Sequence, residues 1–403
     1  MITVDEALKI VLQRVQPLPV ERIPLDHALG RVLAEDVRSD IDLPPFDRAR
    51  MDGYAVRAND LLTTPATLRC IGEVAAGTTF EGRVGRGEAV KIFTGAPLPE
   101  GADAVQKVEV TRSNGDEVTF DESVVPGQFV TKRASECSID ELVAEKGRLI
   151  GPAEMAVLAS FGYATVSTRP RPRVAVISTG SELIDVARKP VGAQIRNSNC
   201  YTLGSYARRA GANVENLGTV HDDLQSTREA LERAADKRDV VVTSGGVSMG
   251  DYDLVKAALV EIGAEVFFDN VKIRPGKPTV FGRRGSTYFF GLPGNPVSTS
   301  VTFNVFVWPA LKLLQGDAHP ALPTVVAELS SEVVDSSNRR SYQPARLFIE
   351  GGRAFAQPLK WVGSSDLVAF MRANALIISG EEVHRIAKGE RVEVLAIGDL
   401  EGK

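Results

Sequence analysis

A chain of 403 residues is too long for one ordinary hydrophobic core, so about two to four domains are expected. With 43% hydrophobic and 25% charged residues the composition is that of a globular protein, and the formal net charge of −5 argues against a nucleic-acid binder that works by broad phosphate neutralisation. Cys70, Cys137 and Cys200 are far apart and odd in number, and His27, His221, His319 and His384 show no paired-ligand spacing, which leaves no disulfide framework, CxxC site or HExxH site.

The first fifteen residues, MITVDEALKIVLQRV, place Val4, Leu8, Val11, Leu12 and Val15 on one face of a helix, not in a signal peptide. No apolar run approaches the roughly 20 residues of a membrane helix, so a cytoplasmic protein without membrane contact is expected. Pro17 and Pro19 end the helix, Leu25, Ala28, Leu29 and Val32 predict a further helical turn, and Pro44 and Pro45 mark a boundary. Just beyond, Asp52-Gly53 reads as a turn. Over 67–120, Gly72, Gly77, Gly82, Gly85, Gly87 and Gly101 punctuate short β-branched runs, which predicts a small β-rich module. Within it, a strand breaks into Thr94-Gly95 and is stiffened by Pro97 and Pro99. From residue 128 the chain leads back into a helical stretch, with Met155, Val157, Leu158 and Phe161 on its buried side. The expected arrangement is a discontinuous N-terminal domain over 1–44 plus 130–168, interrupted by a β-rich domain over 45–129.

Past the proline-stiffened RPRPR at 169–173 the pattern alternates. Strands are predicted over 174–177, 214–220, 239–243, 264–268 and 287–290, with helices over 199–210, 224–235 and 253–262 and a last one from Pro296. That alternation predicts a parallel, doubly wound α/β domain over 169–318, Rossmann-like, with ligands at the carboxyl ends of its strands. Short strands over 325–334, 345–349, 375–378 and 392–397 predict a small β domain over 319–403. The fold class is α/β multidomain.

The polar residues gather at those carboxyl ends. The run DVVVTS stops in Gly245, Gly246, Val247, Ser248, Met249 and Gly250, small residues that let backbone N–H groups approach a ligand. Asp251 and Asp253 follow at a helix start; carboxylates beside a phosphate site call for a divalent cation between them. The same edge collects Ser178 to Glu182, Asp222 and Asp223, Lys272 to Pro278, and Gly291 to Ser298. Each has a structural alternative: Asp222 or Asp223 as a helix cap, Asn295 as an N-cap before Pro296, Arg274 and Lys277 as solvated charges. Taken together, acids, cations and glycine turns describe a site for a phosphorylated ligand and a divalent cation. No GxGxxG follows the first strand and GxxxxGK[ST] is absent, which disfavours a dinucleotide fold and a Walker-type ATPase.

Seven motifs in order, MDGYA, TGAPLP, STGSEL, IRNSN, SGGVSMGDYD, RPGKP and GLPGNPVS, resemble the MoeA family of molybdenum insertases, which is similar to the E domain of gephyrin. The resemblance covers nearly the whole chain. It implies a homodimer that inserts molybdate into adenylylated molybdopterin with release of AMP, aided by magnesium. By the same resemblance Glu182, Asp222 and Asp253 are catalytic or metal-binding, joined by Asp251 at the metal, while Asp52 and Thr94 act from the β module on the partner subunit's site. Ser244, Gly245, Gly246, Ser248, Arg274, Lys277, Pro293, Gly294, Asn295 and Pro296 would bind substrate. Spacing alone does not separate Asp222 from Asp223. Transient contact with a molybdopterin adenylyltransferase or with apo-molybdoenzymes is implied, and nucleic acid is not. One departure stands out: where the family has Arg-Ala-Gly-Glu-Asp this chain has Arg133-Ala134-Ser135-Glu136-Cys137, a thiol in place of a carboxylate. Either that position is peripheral or the protein is specialised. Two rival readings are a molybdopterin adenylyltransferase, which lacks the β module, and a non-catalytic binding or scaffold paralogue.

Overall fold

The segment Val240–Ser244 is buried along its whole length, because a run of β-branched residues suits a strand covered on both faces. Around it the computed structural model, which describes residues 1–247, 254–335, 337–383 and 385–402, builds a six-stranded sheet. The strand order is Asn213–Val220, Arg173–Thr179, Val240–Ser244, Thr287–Leu292, Pro278–Arg284, Glu265–Asn270. Successive residues of one strand serve opposite cores. Val174, Val176, Val240 and Val242 meet the helices Val4–Arg14, Asn199–Arg209 and Pro296–Thr302, whereas Ala175, Ile177 and Val241 meet Leu224–Ala235 and Leu254–Glu261. The sheet is doubly wound for that reason.

It is not wholly parallel, and here the sequence reading is corrected. Pro278–Arg284 pairs antiparallel with both Thr287–Leu292 and Glu265–Asn270, while the other neighbouring pairs are parallel. Residues 278–284 form a strand that the sequence reading passed over. Its Val280 and Phe281 are fully buried and face the two cores in turn.

The helix from Pro296 continues through a π turn at Phe303–Val307 into Trp308–Leu314. At 19 residues and a mean hydropathy of 1.3 it is long and apolar enough to cross a membrane, but 83% of it is buried inside the fold as a core helix. The N-terminal helix Val4–Arg14 is closed by a reciprocal Thr3/Glu6 capping box and buries Val4, Ala7 and Val11 in the same core.

Towards the C-terminus, Arg340–Glu350, Arg353–Pro358, Thr324–Leu329, Arg391–Ala396 and Ala375–Ser379 pair in a ring that closes on its first strand. Its interior holds Ala327, Leu329, Ala345, Leu347, Ile377 and Val394. Ile273–Arg274 joins this sheet by parallel pairing with Arg340 and Ser341. These parts lie in one compact unit, Met1–Glu35, Lys146–Met155 and Thr165–Lys403.

Asp36–Glu145 and Ala156–Ala164 form a second unit. Its six-stranded sheet runs Ala104–Lys107, Gly53–Val56, Glu88–Ile92, Ala66–Val74, Glu117–Phe120, Thr111–Asn114. Tyr54 and Val56 enter one core and Ala55 the other, as strand alternation requires. Gly53, expected in a turn, instead opens a strand. A Cβ there would lie 2.0 Å from the Gln106 carbonyl oxygen, so close interstrand approach accounts for the glycine.

Candidate active site

At the carboxyl end of the central strands a cavity of about 420 Å³ is lined by Thr179, Glu182, Asn197, Asn199, Ser244, Gly294, Asn295 and Pro296 among others. Asn199, in the first turn of its helix, ties the wall together: its Nδ2 donates to Ser244 Oγ at 2.7 Å and to the Gly294 carbonyl at 2.7 Å. The bond to the Gly294 carbonyl fixes the amide orientation, since the reverse would set two oxygens against each other. Asn199 Oδ1 and Thr179 Oγ1 are left as buried acceptors without a partner. Behind them Asn197 Oδ1 accepts from Ser178 Oγ at 3.0 Å, and its Nδ2 donates to Thr219 Oγ1 at 3.1 Å.

The glycine loop after Val240–Ser244 presses on this wall. Gly245 has φ +93°, and a Cβ on it would meet the Thr179 carbonyl at 2.5 Å and Thr179 Oγ1 at 2.7 Å. A methyl on Gly180 would meet Glu182 Oε2 at 2.8 Å, so the Glu182 carboxylate lies folded back over the end of its own strand. Asn295 does begin the helix at Pro296, yet its side chain makes no cap bond there. It donates instead to Ser364 Oγ at 2.8 Å, from the segment that follows Arg353–Pro358.

Ser364 also borders a second cavity of about 470 Å³, lined by Arg274, Lys277, Arg339, Ser298, Ser341 and Trp361 among others. Arg274 and Lys277, expected beside the glycine loop, belong to this neighbouring basic cavity and not to the first, whose charged lining residues are Glu182 and Arg196. Arg339 Nη1 donates to the Ile273 carbonyl at 3.2 Å, and Arg274 Nη1 donates to Asp335 Oδ1 at 2.7 Å.

The remaining expected residues divide as follows. Asp223 caps Leu224–Ala235 by accepting from Ser226 N at 2.7 Å, and that bond holds its carboxyl below the usual range. Asp222 is exposed at the end of the strand next to the one that precedes Glu182. In the second unit Asp52 Oδ1 accepts from Thr94 N and Thr94 Oγ1, both at 2.7 Å; the backbone N–H first and the hydroxyl second hold its carboxyl below the usual range. Ser248, Asp251 and Asp253 lie outside the described residues. Among the described residues, no three His, Cys, Asp or Glu side chains converge. Cys137 is buried, and its backbone exchanges hydrogen bonds with Leu43 in both directions, at 2.8 and 3.1 Å.

Family models match three stretches: the MoeA N-terminal region (domain I and II) over residues 2–162, a probable molybdopterin binding domain over 175–313, and the MoeA C-terminal region (domain IV) over 326–397. A molybdopterin molybdenumtransferase of Haemophilus influenzae is 34% identical over 406 residues, covering 100% of both chains. The chain belongs to the MoeA family. A Bacillus subtilis protein of the same name is 33% identical over 409 residues, covering 100% of this chain and 95% of its own. A MoeA protein from Pyrococcus horikoshii has a solved structure that matches with a TM-score of 0.84 at 30% identity, over 98% of this chain and 100% of that one. In MoeA terms, Thr179, Glu182, Asn199, Ser244 and Asn295 fall in the molybdopterin binding match, whereas Asp335, Arg339 and Ser364 fall in the C-terminal match. Sequence reasoning placed Thr179 on this strand edge without giving it a role, and did not assign Asn197, Asn199, Asp335, Arg339 or Ser364 to the site. The IRNSN motif was a usable signal for Asn197 and Asn199; Asp335, Arg339 and Ser364 had none as direct.

Proposed function

We propose that the chain is a molybdopterin molybdenumtransferase: it inserts molybdenum from molybdate into adenylylated molybdopterin in molybdenum cofactor biosynthesis, with release of AMP. The observation that carries this reading is the pair of cavities bounded by Asn295 and Ser364, one rich in hydrogen-bonding groups with Glu182 and Arg196 in its lining, the other lined by Arg274, Lys277 and Arg339. A substrate with a heterocycle at each end, phosphates between them and an incoming dianion suits such a pair. The first cavity is lined by Asn197, Ser198, Ser244 and Asn295, polar groups suited to hydrogen-bonding a heterocycle, and the basic cavity supplies charge-assisted donors to phosphate or molybdate oxygens.

Magnesium fits the donor chemistry in part. Glu182 and Asp222 follow neighbouring strands and offer hard oxygen ligands, which suffice for an ion that keeps several waters and shares phosphate oxygens. In this reading Glu182 and Asp222, with Asp251 and Asp253, would hold the ion, which when bound neutralises phosphate charge. Asp52, kept ionised by Thr94, is assigned to the same reaction as the contribution of a second copy of the chain in a homodimer. The enzyme would work in the cytoplasm, taking substrate from a molybdopterin adenylyltransferase and passing cofactor to apo-molybdoenzymes.

The test is a single-turnover assay with adenylylated molybdopterin, magnesium and molybdate. Molybdate-dependent AMP release is expected; tight substrate binding without release would end the enzymatic reading.

A further inference from the structure

Asp335 is 3% exposed, and its carboxylate is wholly committed. Oδ1 accepts from Arg274 Nη1 at 2.7 Å and from Ser337 N at 2.9 Å, and Oδ2 accepts from Ser379 Oγ at 3.1 Å. Burial pushes this carboxyl up, but hydrogen bonds from Ser341, Ser337 N–H and Ser379 and the Arg274 charge outweigh it, so Asp335 is held below the usual carboxylate range. The guanidinium it grips has a side chain 40% exposed and lines the basic cavity with Lys277 and Arg339. A buried carboxylate behind a half-exposed arginine locks a long side chain that would otherwise sample many rotamers. Three cations over one carboxylate leave a surplus of two positive charges, which matches a tetrahedral dianion.

We propose that Asp335 is a positioning residue for oxyanion binding: it aims the Arg274 guanidinium into the basic cavity and so sets affinity for molybdate. This rests on the reading of that cavity as the oxyanion pocket. The proposal makes a prediction opposite in sign to simple charge counting. Asp335→Asn raises the surplus from two to three, so charge alone predicts tighter binding, whereas loss of orientation predicts weaker binding.

The experiment is calorimetric titration of the full chain with molybdate, together with the KM for molybdate and kcat of AMP release. Asp335→Asn is expected to weaken binding about tenfold and to raise KM with kcat largely kept, because the aim of the arginine is lost and not the chemistry. Arg274→Lys, which retains the charge but not the planar fork, is expected to weaken binding by a similar factor. The double variant should bind no more weakly than Arg274→Lys alone, since both changes remove one arrangement. Unchanged or tighter binding in Asp335→Asn, or additive losses in the double variant, would overturn the proposal. If Asp335→Asn does not fold, Arg274→Lys decides: wild-type affinity there would show that the guanidinium needs no aiming. Lys277→Ala separates the two levels of inference. Wild-type molybdate affinity in that variant would remove the oxyanion from this cavity and take the reading of the pocket down with the proposal.

Discussion

Gly245 offers a quantitative test of the cavity beside the glycine loop. Alanine there incurs two costs. The first is the left-handed backbone at φ +93°, worth about 1–2 kcal/mol for a residue with a Cβ. The second is collision: the new methyl would lie 2.5 Å from the Thr179 carbonyl oxygen. Ordinary contact is about 3.5 Å, so loop and strand must part by about 1 Å. Gly389 provides the control, with φ +87° and nothing within 4 Å of the methyl that alanine would add. Gly389→Ala should therefore show the backbone cost alone in urea denaturation and leave AMP release unchanged. Gly245→Ala should lose a further 1–3 kcal/mol or so from overpacking, and its single-turnover rate should fall roughly 100-fold, the usual scale for a 1 Å displacement in a reactive geometry. Equal stability loss in the two variants would refute the steric argument. A Gly245→Ala rate within about threefold of wild type would detach the loop from the chemistry.

The Asp222/Asp223 ambiguity separates by measurement: Asp223→Ala should lose about 1 kcal/mol as a deleted helix cap with turnover kept, and Asp222→Ala should keep its stability while losing turnover. The opposite pattern would reassign the site residue. Thr94→Val removes one of the two donors that depress the Asp52 carboxyl, so its pKa should climb towards the ordinary value and the acid limb of the pH–rate profile should move to higher pH. A limb that does not move would separate Asp52 from the rate. Cys137→Asp sets a carboxyl in a buried position and should cost about 3 kcal/mol in denaturation without raising the rate. A faster enzyme would mean that the thiol stands in for a functional acid.

The doubly wound core was legible because VVVTS, RVAVIST and the crossover helices carry their burial in their own composition. The strand Pro278–Arg284 was not, since proline at its start, Gly282 inside it and two arginines at its end imitate a loop. Asp52-Gly53 misled for a related reason: a glycine demanded by a neighbouring strand looks, in sequence, like a glycine demanded by a turn. At the site, residues on the strand ends were readable because sheet topology brings such ends together. Asp335, Arg339 and Ser364 were not, because the pairing of Ile273–Arg274 with Arg340 and Ser341 and the bond from Asn295 to Ser364 bring distant segments together, which no local pattern announces.

That same pairing bears on how the protein is made. The basic cavity needs residues 274–277 together with 339–364, and Asp5 is joined to Arg340 by two charge-assisted bonds, of 2.5 and 2.8 Å. Such distant contacts form late, after costly loop closure. During synthesis the central sheet has its full set of strands once residue 292 has emerged, well before the segment that completes the basic cavity. A nascent or truncated chain ending there lacks Gly294, Asn295 and the Ser364 wall, and of the Asn199 brace it can form only the bond to Ser244. Chain order alone therefore makes the basic cavity one of the last features to be completed, since its lining is shared between residues 274–278 and the segment 334–364.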